Sequence, residues 1–178
     1  MSAQRNSDSV PAASSSSWQS ARLLVTDEFA APPVILRVGD SVIGTLGNFS
    51  ASTGKAKSKK TFNVCAIVAE AMTGGTGLNY SASLPPRKRR ILYVDTEQSR
   101  FHCKRVLCRI LRLAGLPTDA HPPLLEFLCL RGYATKERLR KIEEAIYDLD
   151  NLGLVVIDGI RDLAHDINSP GAATDLIT

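Results

Sequence analysis

A chain of 178 residues with 44% hydrophobic content has the size of one globular domain and can bury a core, which excludes fibrous and wholly disordered classes. Its formal net charge of +4, from 22 Lys and Arg against 18 Asp and Glu, is gathered in two runs, Lys55 to Lys60 and Arg87-Lys88-Arg89-Arg90, so a polyanionic partner fits the charge. No apolar stretch reaches membrane-spanning length, the N-terminus lacks signal-peptide order, and Cys65, Cys103, Cys108 and Cys129 lack zinc-site spacing. The expectation is a cytoplasmic protein with reduced thiols and no membrane partner.

In chain order, residues 1–20 are rich in serine and alanine and read as a disordered tail, because so little apolar surface cannot offset the entropy of ordering. Residues 21–45 read as an N-terminal extension. Within it, Val34 to Val38 and Ser41 to Thr45 flank Gly39-Asp40 as a β-hairpin. Residues 46–178 read as the core. There Asn48 to Thr53 is a candidate strand and Lys60 to Met72 an apolar, buried helix stopped by Gly74. The glycine-rich stretch through Pro85-Pro86 and the basic run reads as a long loop. Ile91 to Val94 is a continuous apolar strand of the kind buried on both faces of a parallel sheet.

After Ser99, a good N-cap, Cys103, Val106, Leu107, Ile110, Leu111 and Ala114 recur at helical spacing to Gly115, with Lys104, Arg105, Arg109 and Arg112 on the opposite face. That basic face reads as a solvated surface or one that meets nucleic acid. Glu126 to Leu130 is the next strand, Leu139, Ile142, Ala145, Ile146 and Leu149 mark another amphipathic helix, and Leu154 to Ile157 reads as another buried strand. The alternation predicts an α/β fold with a parallel sheet flanked by helices.

Gly54-Lys55-Ala56-Lys57-Ser58-Lys59-Lys60-Thr61 fits the phosphate-binding pattern G-x-x-x-x-G-K-[ST] at Gly54, Lys60 and Thr61 and departs from it where Lys59 replaces the second glycine. A triphosphate needs backbone N–H donors and the positive end of a helix dipole, a point charge such as Lys60, and a hydroxyl such as Thr61 for Mg²⁺. A lysine-rich solvated loop is the competing reading of this segment. Acids that close buried strands stand at the carboxyl ends where parallel sheets bind ligands. Asp158 follows Leu154 to Ile157 and suits a Mg²⁺ ligand; Asp95-Thr96-Glu97 follows Ile91 to Val94, and Glu97 suits the orientation of an attacking water. Taken singly, either acid reads as a turn former.

The succession of this loop, Tyr93-Val94-Asp95-Thr96-Glu97 and Leu154 to Asp158 resembles the ATPase core of the RecA superfamily, and Asp95-Thr96-Glu97-Gln98 with the lysine-rich loop resembles most its RepA-like, AAA-type branch of plasmids, phages and mobilizable transposons. The likeness covers about residues 43–177. It implies a RecA-like P-loop NTPase fold, ATP and Mg²⁺ as cofactors, Lys60 on the phosphates, Thr61 and Asp158 on the metal, and Glu97 with Lys60 in catalysis. It also implies a ring of identical subunits acting on DNA.

Such cores continue past this point with further strands, so the sheet is expected to be incomplete at the C-terminus, the chain a fragment or truncated product, and its own turnover weak. The leading expectation is a Mg²⁺-dependent ATPase core of a DNA replication or mobilisation protein. The alternatives are a non-hydrolysing DNA-binding or assembly module and a P-loop phosphotransferase. Arg161, Asp162, His165 and Asp166, just beyond Asp158, read as an ordinary polar loop or as groups that touch nucleotide or DNA, and His102 and His121 as structural or exposed.

Overall fold

A computed structural model describes residues 17–55 and 59–163. The chain forms two compact units, Met1–Ala31 and Pro32–Thr178. In the first, Ser17–Ala21 is a short 3-10 helix, so the expected unstructured tail does not extend to residue 20. A following turn is closed by Asp27, whose Oδ2 accepts the Leu24 N–H at 2.8 Å. Residues 1–16 of that expected tail lie outside the described residues.

The second unit opens with the predicted hairpin. β1 (Val34–Val38) and β2 (Ser41–Thr45) pair antiparallel around Gly39, whose φ of 53° is open to glycine without a Cβ clash. α1 (Lys60–Thr73) follows and ends at Gly74, φ 70°, whose N–H bonds the Glu70 carbonyl. The segment expected as one long loop instead contains β3 (Thr76–Gly77) and β4 (Tyr80–Ala82). Their two-residue turn, Leu78-Asn79, has both residues at positive φ, the conformation that matches hairpin twist. The signal was hidden because leucine occupies a position that glycine or asparagine usually takes. β4 also pairs with β1, completing an antiparallel sheet in the order β2-β1-β4-β3.

β5 (Arg90–Asp95), α2 (Arg100–Leu113), β6 (Leu125–Cys129), α3 (Thr135–Asp148) and β7 (Leu152–Asp158) complete the described unit, apart from a 3-10 turn at Ile160–Leu163. The three strands form a parallel sheet, β6-β5-β7, as the strand–helix alternation predicts. Ile91, Leu92, Tyr93 and Val94 of central β5 have no exposed surface. At about 1.5–3 kcal/mol for each large apolar side chain removed from water, this strand anchors the fold.

Side-chain alternation sorts the layers. Ile91, Tyr93, Leu154 and Val156 join α1, α2 and the antiparallel sheet in one core; Leu92, Val94 and Ile157 join Leu139, Ile142 and Ala145 of α3 in the other. α1 packs closely because its buried face is largely small: Cys65, Ala66, Val68, Ala69 and Ala71.

Three expectations are corrected. Asn48 to Thr53 is not a strand: Phe49, its one large apolar residue, is exposed, and no strand pairs with the segment to offset its ordering. β7, expected as another buried strand, is only partly buried; among the described strands only β5 pairs with it, and Val155 is exposed. The Arg87–Arg90 run is not wholly a free basic loop. The Arg89 guanidinium donates to the Met72 carbonyl at 3.1 Å, placing a cation at the negative end of α1.

Candidate functional site

The register of the parallel sheet sets the site. Asp95 on β5 pairs with Asp158 on β7, so both carboxylates emerge at the carboxyl edge of the sheet and on its α1 face, in line with Tyr93 and Val156. α1 points its N-terminus at the same place. Thr61, in its first turn, donates from Oγ1 to Asp158 Oδ2 at 3.0 Å.

The described part of the loop entering α1 has one special backbone position. Lys59, which stands where the pattern has glycine, is left-handed at φ 60°, ψ 23°, and its own side chain makes no capping hydrogen bond. An L-residue there costs roughly 1–2 kcal/mol, and the start of the helix carries the positive end of its dipole, which favours an anion. The Lys60 ammonium folds back to the carbonyls of Gly54 at 2.7 Å and Lys55 at 3.2 Å, bracing the beginning and end of the loop. Ala56, Lys57 and Ser58, also expected to bind phosphate, lie outside the described residues.

Asp158 has a second donor that motif reading missed. Tyr93 is fully buried, stacked on Phe127 with ring centroids 4.6 Å apart, and its hydroxyl donates to Asp158 Oδ2 at 3.1 Å. Burial, and then the Asp158 charge, hold the phenol well above the usual tyrosine range, so it remains a donor throughout neutral pH. Its only sequence signal is the period-2 position before Asp95.

Asp95 is a positioning group. Fully buried, it accepts the N–H of Glu97 at 3.0 Å and of Gln98 at 2.7 Å on Oδ1, and the Gln98 amide at 2.9 Å on Oδ2. This turn leaves Glu97 exposed. Thr96, buried, ties the turn to the end of β7 by donating to the Gly159 carbonyl at 2.7 Å, and its N–H bonds the Asp158 carbonyl at 3.1 Å. Gly159, φ 98°, lets the two loops meet: a Cβ there would run into Thr96 Oγ1 and lie 2.7 Å from Glu97 Cγ. Glu97 thus passes against the residue that follows Asp158.

The arrangement gathers Thr61, Asp158, Glu97 and the α1 N-terminus at one edge, with Lys60 beside Thr61. Thr61 and Asp158 offer the paired hard oxygens suited to Mg²⁺, an ion that takes one or two protein oxygens and fills its remaining positions with water and phosphate. Among the described residues, no group of three or more His, Cys, Asp or Glu could hold a metal alone.

Other expected residues stand apart. Arg161 is exposed, and Asp162 pairs with Arg138 at 3.7 Å; His165 and Asp166 lie outside the described residues. Ser99 holds the N-cap position of α2 without a side-chain cap bond, its Oγ lying 3.0 Å from His102 Nδ1 instead. His121 pairs with Glu126 at 3.6 Å. All four cysteines are free thiols. No helix among the described residues is long and apolar enough to cross a membrane.

A family model described as an AAA domain matches residues 19–176. No curated protein and no solved structure matches the chain.

Proposed function

This chain belongs to the AAA-domain family of P-loop ATPases, and from that premise we propose that its 54–61 loop binds ATP with Mg²⁺ and that it serves as the ATPase core of a DNA replication or mobilisation protein. The observation that carries the reading is the meeting of the α1 N-terminus with the β7 carboxylate, Thr61 on Asp158 at 3.0 Å. That contact joins the two halves of a phosphate-and-metal site.

In this reading the left-handed Lys59 turn aims the first N–H groups of α1 at the phosphates. The Lys60 ammonium exchanges the Gly54 and Lys55 carbonyls for phosphate oxygens. Thr61 and Asp158 would hold Mg²⁺, whose chemistry there would be to neutralise charge on the phosphates. Tyr93 keeps Asp158 facing the site, and Asp95 and Thr96 hold the Glu97 turn. Glu97, exposed and beside Gly159, accepts a proton from the attacking water and holds it in line. The RecA-like, RepA-like kinship, action on DNA and assembly into a homo-oligomeric ring belong to the same proposal, supported by the Asp95-to-Gln98 turn, the lysine-rich loop and the basic charge.

The test is thermal denaturation with and without Mg-ATP. Saturation at about 100 times Kd adds roughly 2.7 kcal/mol to stability. Lys60→Ala removes that gain. Melting unchanged by millimolar Mg-ATP overturns the reading.

A further inference from the structure

The two amphipathic helices differ in how they use charge. α3 carries Lys136, Arg138, Arg140 and Lys141 against Glu137, Glu143, Glu144 and Asp148, with Arg140 and Glu144 paired one turn apart at 2.6 Å. That balance is how an ordinary solvated helix face is built. α2, of the same length, carries Arg100, Lys104, Arg105, Arg109 and Arg112 and no acid. Like charges a turn apart repel, a cost that a merely solvated face has no reason to bear.

The cations lie together. Phe101, Lys104, Arg105, Cys108, Arg109 and Arg112 line a cleft of about 340 Å³ with no carboxylate in its wall. Lys104, Arg105 and Arg112 are exposed and have no ion-pair partner among the described residues. Arg109 is half-buried beside Cys65, where its charge counters the upward push that burial gives that thiol. Phe101 is 68% exposed at the N-terminal end of the stripe.

We infer that this α2 stripe is a binding surface for a single-stranded nucleic acid, with Lys104, Arg105, Arg109 and Arg112 on successive phosphates and Phe101 stacked on a base. The cations recur about once per 5.4 Å turn, so an extended sugar-phosphate chain can follow them along the helix. An exposed aromatic ring beside a cationic groove is the usual platform for unpaired bases, whereas duplex bases offer it no face. The surface deepens the proposed action on DNA and rests on that reading only for the partner's biological role.

The experiment is fluorescence anisotropy of a labelled oligothymidylate with the whole chain in nucleotide-free buffer, repeated across salt concentrations. Lys104→Glu/Arg105→Glu/Arg112→Glu is expected to lower affinity at low salt at least about 100-fold. Loss of three phosphate contacts also makes the slope of log affinity against log salt shallower by about 2. Phe101→Ala lowers affinity about tenfold and leaves the slope unchanged. Arg87→Glu/Lys88→Glu, a charge reversal elsewhere, leaves affinity within about threefold. If circular dichroism shows the triple variant unfolded, the corresponding triple glutamine variant is read for the same change of slope.

Lys60→Ala still binds the oligonucleotide, which separates this surface from the ATP site. Wild-type binding by the triple variant, or equal loss in the Arg87/Lys88 variant, overturns the proposal. So does tighter stripe-dependent binding to duplex DNA or anionic vesicles, or stripe-dependent self-association without oligonucleotide affinity.

Discussion

Thr61 and Asp158 lie 97 residues apart in sequence and meet at 3.0 Å, joining the first turn of α1 to the last residue of β7. Asp158→Asn conserves volume and an oxygen acceptor for Tyr93 but removes the charge a cation needs. We predict a nucleotide-free midpoint within about 4 °C of wild type, equivalent to roughly 1 kcal/mol, and no stabilisation by Mg-ATP. Differential scanning fluorimetry reads both. A full Mg-ATP shift in this variant excludes Asp158 as the metal ligand.

Lys59 gives a test in which stability and binding move independently. Its φ of 60° is left-handed, so Lys59→Gly removes the Cβ penalty while adding some freedom to the unfolded chain. The net expectation is a gain of up to about 1 kcal/mol in urea denaturation, with ATP affinity retained or improved. A loss of affinity instead assigns the Lys59 ammonium a phosphate contact of its own.

What was legible in the chain follows from which signals are local. The apolar run Ile91 to Val94 and the helical spacing from Cys103 to Ala114 announce β5 and α2, because burial and periodicity are written in consecutive residues. The motif spacing marks Lys59 as the departure from glycine, but its left-handed backbone is seen only in the fold. The Asn48 to Thr53 strand failed because strand formation depends on a neighbour, and β residues alone do not supply one. β3 and β4 were hidden by a turn made from leucine and asparagine. Tyr93, Thr96 and Gly159 escaped notice for a third reason: they act by contact between β5 and β7, and only the register Asp95 to Asp158 brings them together.

Tyr93 predicts an alkaline signature. Its phenol is raised in the folded chain by burial and by the Asp158 charge, so folding favours the protonated form. The resulting stability is fully present below the unfolded tyrosine value of about 10 and is lost as pH rises above it, because the unfolded chain then gains by ionising. Tyr93→Phe removes the Asp158 bond and this titration together. Urea denaturation at pH 8 is expected to show the variant about 1 kcal/mol less stable, the ordinary net worth of a hydrogen bond or slightly more, with the difference shrinking by pH 10.5. An equal difference at both values means the hydroxyl is not held protonated by the fold.

Glu97 and Gly159 carry the final prediction, which separates hydrolysis from binding. Asp95 fixes the Glu97 backbone, and the glutamate side chain passes so close to Gly159 that a Cβ there would lie 2.7 Å from Glu97 Cγ. Glu97→Gln keeps the shape and an acceptor oxygen but removes the base, so turnover is expected to fall about 10²-fold or more while ATP affinity changes by less than about threefold. Gly159→Ala leaves the glutamate in place chemically and displaces it physically, since the strained φ of 98° and the new methyl must be relieved by moving Thr96 and Glu97. Misplacing a water-orienting group by about 1 Å costs up to about 10²-fold, so this alanine should also impair turnover more than affinity. Nucleotide binding by fluorescence and phosphate release by a coupled assay are measured on the same preparation. Undiminished phosphate release by Glu97→Gln would make Glu97 a turn residue and withdraw hydrolysis at this carboxylate from the proposed function.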